Sequence, residues 1–423
     1  MSDIRSMRFV RRSALLALAA VTAVPLVVAG PLAPGHAGTY ATGKVTKVID
    51  GDTVVVDGRW IVRLIGIDTP EHDKCGFTAA TREMKRLVGG KQVVLRSDTG
   101  KSGLRGRPER RVLVNQGGRL VDTTTVMLQK GLGVWMPRKG EVTNSRAHHL
   151  AAGQAAAAGI GWFDEDRCGA GPGANGSLHM NVEWNADAAD ALSSAAKRNE
   201  EFIRIRNDNP FPLGLDGWTL RVGNDRSRTM PHGGAVAAGG TVTVHVGYGN
   251  NTATDRYLGS SVPMLQNADS TGKQHLGSGA YLIDPQGDIR ASMTWPCLVA
   301  CADPASLGVH LSTVMWDPPG PDTKSLNNEY VALTNRGPAP VRTGDLVVEV
   351  WPWVYELPPD HVLAPGETVR IYGGHGGNDR LDRYLGSPIP PLHNDGGEVV
   401  VRTYDAVVLD CYRWGKGHCP SYG

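Results

Sequence analysis

An internal repeat limits the folds that the second half of the chain can adopt. Asn199–Leu220 parallels Asn327–Val348, and Ala237–Asn267 parallels Ala364–Asn394. Both copies contain the sequence Asp-Arg-Tyr-Leu-Gly, and in both copies short runs of β-branched and aromatic residues alternate with Gly and Pro turns. This pattern predicts two immunoglobulin-like β-sandwiches with a boundary near residues 301–304.

The composition agrees with a mainly β, multidomain protein. A chain of 423 residues exceeds what one hydrophobic core usually serves, and its 54 glycines and 27 prolines favour many short strands and turns. The Gly/Pro-rich stretch over 169–177 predicts a linker between an N-terminal domain at 38–168 and the two sandwiches, at 178–301 and 302–423.

The first 37 residues have the order of a secretory signal peptide. A basic leader precedes an apolar stretch, Ala14–Gly30, and small residues around Ala37 suit cleavage. A membrane anchor is the alternative, but the apolar stretch is short for a span of about 20 residues. We therefore expect a secreted protein that keeps no stable membrane span after cleavage.

Export permits disulfide bonds, and the cysteines are even in number. Six cysteines allow 15 pairings. Two local pairs, Cys297–Cys301 and Cys411–Cys419, would each close a short loop near the end of one repeat, and this choice leaves Cys75 for Cys168. Zinc binding is the rival interpretation, although the spacings do not match a zinc finger.

The charge is divided unevenly along the chain. Residues 38–168 contain 21 Lys and Arg against 14 Asp and Glu, a formal charge of +7, whereas residues 169–423 contain 19 against 27, a charge of −8. A basic N-terminal domain suits an acidic polymer as its substrate. This split and the linker predict that the N-terminal domain folds alone and holds every site residue, while the sandwiches only position it.

Within the N-terminal domain, strands come first and helices follow. Apolar runs surround an Asp57-Gly58 hairpin signal, and apolar residues from Phe77 to Leu87 have helical spacing. Two further strands join around Gly117, and a short helix and an Ala-rich closing helix follow, the latter capped by Asn144 or Ser145. About five strands with helices at the side predict an OB-fold barrel, an α+β domain.

Two ordered motifs in this domain, Val48–Val56 (VIDGDTVVV) and Arg63–Glu71 (RLIGIDTPE), concentrate carboxylates around one arginine. With the looser matches Val121–Trp135 and His148–Phe163, they make the region from about Thr42 to Trp162 resemble the staphylococcal nuclease (thermonuclease) family. The resemblance implies a calcium-dependent endonuclease on a five-stranded barrel, which hydrolyses DNA and RNA with little base specificity and leaves 3′-phosphate ends.

The resemblance also implies a role for each residue. Asp52 and Asp68 fall on the calcium-binding carboxylates, the Thr69 carbonyl is a third ligand, and Arg63 and Glu71 fall on a catalytic arginine and the general base. Calcium prefers oxygen ligands, arginine stabilises charge on phosphate, and a carboxylate can deprotonate water. If these residues have only structural roles, Asp52 lies in a turn, Asp68 to Glu71 begin a helix, and Arg63 is a surface arginine.

The resemblance also implies a second catalytic arginine, which we assign to Arg107. Gly106-Arg107 matches the family's glycine–arginine pair, but two extra residues separate Arg107 from the next strand, so Arg105 and Arg111 remain rivals. The histidines in the closing helix, His148 and His149, are interpreted as packed or surface residues.

The two repeats resemble lamin-tail domains, which bind or position other molecules, and the second copy is the weaker match. The expected protein is thus a monomeric, secreted nuclease with Ca²⁺ as cofactor and nucleic acid as substrate, and with sandwich modules for an unknown ligand or surface. The rivals are a catalytically weak nucleic-acid-binding protein anchored at a surface and a membrane-tethered structural protein.

Overall fold

The computed structural model describes most of the chain after the predicted signal peptide. It covers residues 40–97, 108–137, 143–171, 177–185, 197–223, 226–321, 325–350 and 353–422. The signal peptide, linker residues 172–176, Arg105 and Arg107 lie outside the described residues. Across the described ranges, no helix is long and apolar enough to cross a membrane.

The N-terminal region forms a closed five-stranded barrel. The strands of this region are β1 (Tyr40–Val48), β2 (Thr53–Val56), β3 (Trp60–Leu64), β4 (Ile67–Asp68), β5 (Gln92–Arg96), β6 (Glu109–Gln116), β7 (Arg119–Asp122) and β8 (Val134–Trp135). The sheet runs β3-β2-β1-β5-β6-β7, and β3 also pairs in parallel with β6. That extra pairing joins β1, β2, β3, β6 and β5 into a ring, as expected of an OB-fold-like barrel.

Three helices cover the barrel: α1 (Phe77–Val88), α2 (Thr123–Gln129) and α3 (Ser145–Ala157). The predicted turn is confirmed, because Asp57 and Gly58 have positive φ between β2 and β3. Asp122 caps α2 by accepting from the Thr124 N–H at 3.0 Å. Asn144 precedes α3 as expected but does not cap it, since its amide donates to Asp122 Oδ2 at 2.9 Å instead.

A first β region follows the barrel. Its strands are β9 (Leu178–Glu183), β10 (Phe202–Asn207), β11 (Leu213–Gly214), β12 (Thr219–Val222), β13 (Arg226–Thr229), β14 (Ala235–Val236), β15 (Thr241–His245), β16 (Asp255–Tyr257), β17 (Ser278–Ile283) and β18 (Ile289–Trp295). They form two four-stranded sheets, β16-β15-β10-β9 and β13-β12-β17-β18, and the small pair β11-β14. Both larger sheets contribute to one apolar core.

A second β region repeats this topology. After the short helix α4 (Pro304–Leu307) come β19 (Val309–Met315), β20 (Tyr330–Asn335), β21 (Val341–Arg342), β22 (Leu346–Val350), β23 (Trp353–Glu356), β24 (Val362–Leu363), β25 (Thr368–Tyr372), β26 (Asp382–Tyr384), β27 (Gly396–Thr403) and β28 (Val408–Gly415). The sheets are β19-β20-β25-β26, β23-β22-β27-β28 and β21-β24. The internal repeat is therefore also a repeat of strand order, while the assignment to immunoglobulin-like sandwiches stays a prediction.

The two copies of the repeat use a buried glutamate in the same way. Glu201 and Glu329 are buried at equivalent places, and they accept the N–H groups of Met264 at 3.3 Å and Leu392 at 2.9 Å. Buried glutamates need such partners, because an unpaired buried polar group costs about 1–3 kcal/mol. The glutamate of the repeated Asn-x-Glu pattern therefore has a structural reason in both copies.

The barrel packs directly against the sheet β13-β12-β17-β18. Trp162 donates from its indole to the Gly287 carbonyl at 2.8 Å, and the Tyr281 hydroxyl donates to the Trp135 carbonyl at 3.0 Å. Around these bonds lies a shared apolar cluster of residues from both parts: Val134, Met136, Ala155, Trp162, Phe163, Tyr281, Ile283 and Ile289. The barrel and the first β region therefore share an interface, although the chain between them passes through the predicted linker, of which residues 172–176 lie outside the described residues.

All three predicted disulfide bonds are present. Cys75 is joined to Cys168, Cys297 to Cys301, and Cys411 to Cys419. A Cβ at Gly287 would lie 3.3 Å from the Cys75 Cβ, so the first β region also packs against this bond. Three disulfide bonds and no free cysteine among the described residues are typical of an oxidising compartment.

The two β regions contact each other through buried polar groups. Arg402 is fully buried and donates to Glu349 Oε1 at 2.6 Å, with Glu183 of the first region at 3.6 Å. Arg204 donates to the Tyr404 hydroxyl at 2.7 Å and to Glu356 Oε2 at 3.0 Å. Such paired charges hold one relative orientation, because breaking any pair would leave a buried charge uncompensated.

A histidine pair between the barrel and the first β region predicts a pH-dependent stability. His149 Nδ1 lies 2.9 Å from His275 Nε2, and the His149 ring stacks on Trp135. Burial, and then the charge of Arg146, lower the pKa of His275 to about 4, although Asp269 opposes this change. Burial and His275 also hold the pKa of His149 well below its usual value.

We predict that the protein loses stability as the pH falls from about 6.5 towards 4, because the unfolded chain binds these protons first. His275→Gln should remove part of that loss, on the order of 1 kcal/mol after allowance for solvent screening. Urea unfolding at several pH values measures it, with His232→Gln at an exposed histidine as the control. The same pH slope in His275→Gln and the wild type would contradict the prediction.

Candidate functional site

The aspartates of the two sequence motifs meet at one end of the barrel wall. Asp50 and Asp52 lie in the turn between β1 and β2, and Asp68 ends β4. Gly51 permits this approach, because a Cβ there would lie 2.7 Å from the Ala80 Cβ and 2.9 Å from Thr69 Oγ1. The glycine of the motif is thus required for the turn to reach Thr69.

Arg63 on β3 joins the two buried aspartates. Its Nη1 donates to Asp52 Oδ1 at 2.6 Å, and its Nη2 donates to Asp68 Oδ1 at 2.7 Å. The side chains of all three residues are at most 10% exposed. Charge-assisted bonds of this kind are strong and fix geometry, so Arg63 sets the separation of the two carboxylates.

Asp52 has further donors on its other side. Its Oδ2 accepts from the Thr69 N–H at 2.8 Å and from Thr69 Oγ1 at 2.9 Å, while Thr53 Oγ1 donates to Oδ1 at 3.0 Å. Thr69 is therefore held against Asp52 by its backbone and its side chain. The predicted members Asp52, Arg63, Asp68 and Thr69 form one connected group.

The structure adds a residue that the sequence did not predict. Arg221, on β12 of the first β region, forms an ion pair through Nη1 with Asp68 Oδ2. Its Nη2 lies 3.9 Å from Glu71 Oε1, and its guanidinium lies 5.6 Å from the centre of the Trp162 ring. A residue from outside the barrel thus lies against the predicted site residues Asp68 and Glu71.

A signal for Arg221 was present in the sequence. Arg63 and Arg221 both interrupt an apolar strand that begins near a tryptophan, in Trp60-Ile61-Val62-Arg63-Leu64 and Trp218-Thr219-Leu220-Arg221-Val222. A charged residue in a buried strand position requires a partner. Its partner could not be identified from the sequence, because the packing of the two regions was unknown.

Negative charge exceeds positive charge among the described groups of the site. Four carboxylates (Asp50, Asp52, Asp68 and Glu71) face two guanidiniums (Arg63 and Arg221), a formal charge of −2 when all are ionised. Burial, and then the charge of Asp52, raise the pKa of Asp50 to about 6. Both effects indicate an environment that would gain from an added cation.

The donor set fits a hard dication in type and in charge. Asp carboxylates and a backbone carbonyl are the oxygen ligands that Ca²⁺ prefers. No cluster of three or more His, Cys, Asp or Glu residues with metal-binding geometry occurs within the described ranges. Both oxygens of Asp68 contact arginines, so an ion at Asp68 would have to replace one of these contacts.

Glu71 differs from the other acids because it is solvent-accessible. Its side chain is 65% exposed, and its carboxylate lies beside Arg221. An exposed carboxylate next to two buried ones is accessible to a water molecule and to a substrate. This position suits the general-base role that the resemblance implies, although the role itself stays a prediction.

The candidates for a second catalytic arginine fall in different places. Arg105 and Arg107 lie outside the described residues. Arg111 is buried within β6. The pKa of Asp122 is held below its usual range although burial raises it, because His148, Asn144 and Arg111 favour the charged carboxylate. Arg111 thus interacts electrostatically with Asp122, the residue that caps α2.

The two histidines of α3 are packed residues, as expected. His148 Nε2 lies 3.2 Å from Asp122 Oδ2, and His149 is stacked on Trp135 with no exposed surface. The contacts of the two rings are with Asp122, His275 and Trp135. They contribute to the packing of α3 and not to the candidate site.

No protein-family model matches the chain, and no curated protein matches it. Inferences about function therefore depend on the residues of the site and on the motif resemblance.

We predict that Arg63→Ala lowers the free energy of unfolding by about 3–5 kcal/mol, because Asp52 and Asp68 would both lose a buried counter-charge. Urea unfolding near pH 7 measures the change. Arg119→Ala, at an exposed position on β7, is the matched control and should cost no more than about 0.5 kcal/mol. An Arg63→Ala variant as stable as that control would show that the buried group is not held by Arg63.

Proposed function

We propose that the chain is a secreted, calcium-dependent phosphodiesterase that hydrolyses DNA and RNA with little base specificity. The observation that carries this proposal is the group Asp52–Arg63–Asp68, with Thr69 bound to Asp52 and Glu71 exposed beside it. Turns and caps alone would not require a buried arginine between two buried carboxylates.

Asp52, Asp68 and the Thr69 carbonyl would hold the calcium ion. The ion would supply positive charge to an oxygen of the bound phosphate. It would also offset the excess negative charge of the four carboxylates.

Arg63 and Arg107 stabilise charge on the phosphate in this mechanism. A guanidinium presents paired donors that match two phosphate oxygens, and it stabilises the charge that builds in the pentacovalent transition state. Nη1 and Nη2 of Arg63 donate to Asp52 and Asp68 in this structure, and an ion bound by these carboxylates would free donors of Arg63 for the phosphate.

Glu71 acts as the general base. It accepts a proton from a water molecule, whose oxygen forms a bond to phosphorus while the bond from phosphorus to the 5′-oxygen breaks. The departing 5′-oxygen takes up a proton, and the other product keeps a 3′-phosphate. The exposed position of Glu71 supports this role, because water can reach it.

The charge distribution supports attraction of nucleic acid to the barrel, and the β regions support a role in positioning the enzyme. The barrel segment carries +7, which attracts a polyanion, and the later residues carry −8. We propose that the two β regions are lamin-tail-like, immunoglobulin-like sandwiches that bind a ligand or surface. The disulfide bonds support export, and a monomer suffices for the proposed chemistry.

We predict that cleavage requires calcium. Labelled single-stranded DNA should be cut by the full chain in calcium, left intact after chelation, and cut again when calcium is restored. Asp52→Asn should stay inactive throughout, because it removes one charged ligand. Full-rate cleavage in excess chelator would reject the calcium dependence, and binding without any cleavage would favour a catalytically weak nucleic-acid-binding protein.

We predict that Glu71→Gln lowers the turnover number by about 10²–10⁴-fold, since one general base contributes that much. Binding of DNA should change little, because glutamine keeps the size of the side chain. Turnover at saturating DNA and binding by fluorescence anisotropy separate the two effects. Asp317→Asn, at an exposed carboxylate of the second β region, serves as the control. Equal turnover in Glu71→Gln and the wild type would refute the assignment.

A further inference from the structure

Arg221 is not explained by the fold of the β region that contains it. In the internal repeat, β12 and β22 occupy equivalent places, and the residue that corresponds to Arg221 is Glu349. The same fold therefore accepts opposite charges at this position. The positive charge of Arg221 must therefore be explained by the barrel residues beside it, Asp68 and Glu71.

The surroundings of Arg221 hold its side chain in place. Arg221 is 9% exposed, and it pairs across the sheet with Tyr281, whose hydroxyl bonds to the barrel. Trp162 lies under the guanidinium and is itself bonded to Gly287. Burying an arginine is costly without a partner, so the contact with Asp68 and the tryptophan ring fix where the guanidinium lies.

Two arginines therefore flank one carboxylate. Arg63 contacts Asp68 Oδ1, and Arg221 contacts Asp68 Oδ2. On its other side, Arg221 lies 3.9 Å from Glu71, which is longer than a hydrogen bond. Nη2 of Arg221 thus faces Glu71, the exposed acid that we assign to water activation. A phosphate undergoing hydrolysis would have to lie beside this acid.

We propose that Arg221 is a phosphate-contacting catalytic arginine, supplied to the barrel site by the first β region. This inference rests on the proposed function. A cation at Asp68 would repel the guanidinium from that carboxylate, and a phosphodiester beside Glu71 would attract it. Arg221 would then donate to phosphate oxygens together with Arg63, so that the site is complete only in the chain that contains both regions.

The test compares Arg221→Gln and Arg221→Lys with the wild type in the full chain. Arg228→Gln is the matched control, because Arg228 lies on the adjacent strand β13 and donates to the backbone carbonyl of its neighbour Ser227. With saturating calcium and single-stranded DNA, Arg221→Gln should lower kcat by about 10²–10³-fold, the usual effect of losing one transition-state donor. Arg221→Lys should recover part of that loss, and Arg228→Gln should match the wild type.

A second measurement detects phosphate contact without cleavage. In the Glu71→Gln background, the affinity for single-stranded DNA is measured over a range of salt concentrations. One lost phosphate contact should reduce the slope of log affinity against log salt by about 0.7. If Arg221→Gln does not fold, Arg221→Lys provides both measurements, with an intermediate kcat expected.

The outcomes separate this inference from the proposed function. A wild-type chain that does not cut nucleic acid overturns both. A wild-type chain that cuts, with unchanged kcat and salt slope in Arg221→Gln, overturns only the role of Arg221. A higher kcat in Arg221→Gln would also overturn it, because Arg221 would then block the site.

Discussion

The bonds from Arg63 to Asp52 and Asp68 are the interaction on which the candidate site depends. They bring together residues from the β1–β2 turn, from β3 and from the end of β4. Buried carboxylates at this separation would repel one another without a cation between them. The closed barrel provides the rigid wall, and Arg63 provides the charge that allows the acids to lie in that wall. The order of the motif along the chain follows from this geometry.

The same electrostatic requirement links the barrel to the first β region. Asp68 is satisfied by Arg63 on one oxygen and by Arg221 on the other, so its environment belongs to two parts of the chain. The Cys75–Cys168 bond, the Trp162–Gly287 bond and the shared apolar cluster hold these parts together. Buried ion pairs then connect the first β region to the second. A change in one of these contacts can therefore alter the orientation of the neighbouring region.

Local patterns predicted much of this structure. The Asp57-Gly58 turn, helix α1, the closed barrel and the three disulfide bonds follow from turn chemistry, apolar spacing and cysteine position. The grouping of Asp52, Arg63, Asp68 and Thr69 was anticipated through the motif. Arg221 was not, because a contact between distant segments depends on how domains pack. Likewise, Asn144 turned out to bond to Asp122, a partner 22 residues away, in place of capping its own helix.

The central claim is that this group of acids and arginines hydrolyses phosphodiesters, and the chemistry of the product ends tests it most directly. The full chain is incubated in calcium with a 5′-labelled single-stranded oligonucleotide, beside the Asp68→Asn variant, and the new ends are identified by mass spectrometry. We expect 3′-phosphate ends from the wild type and intact oligonucleotide from Asp68→Asn. Intact oligonucleotide from the wild type, or the same products from both proteins, would contradict it.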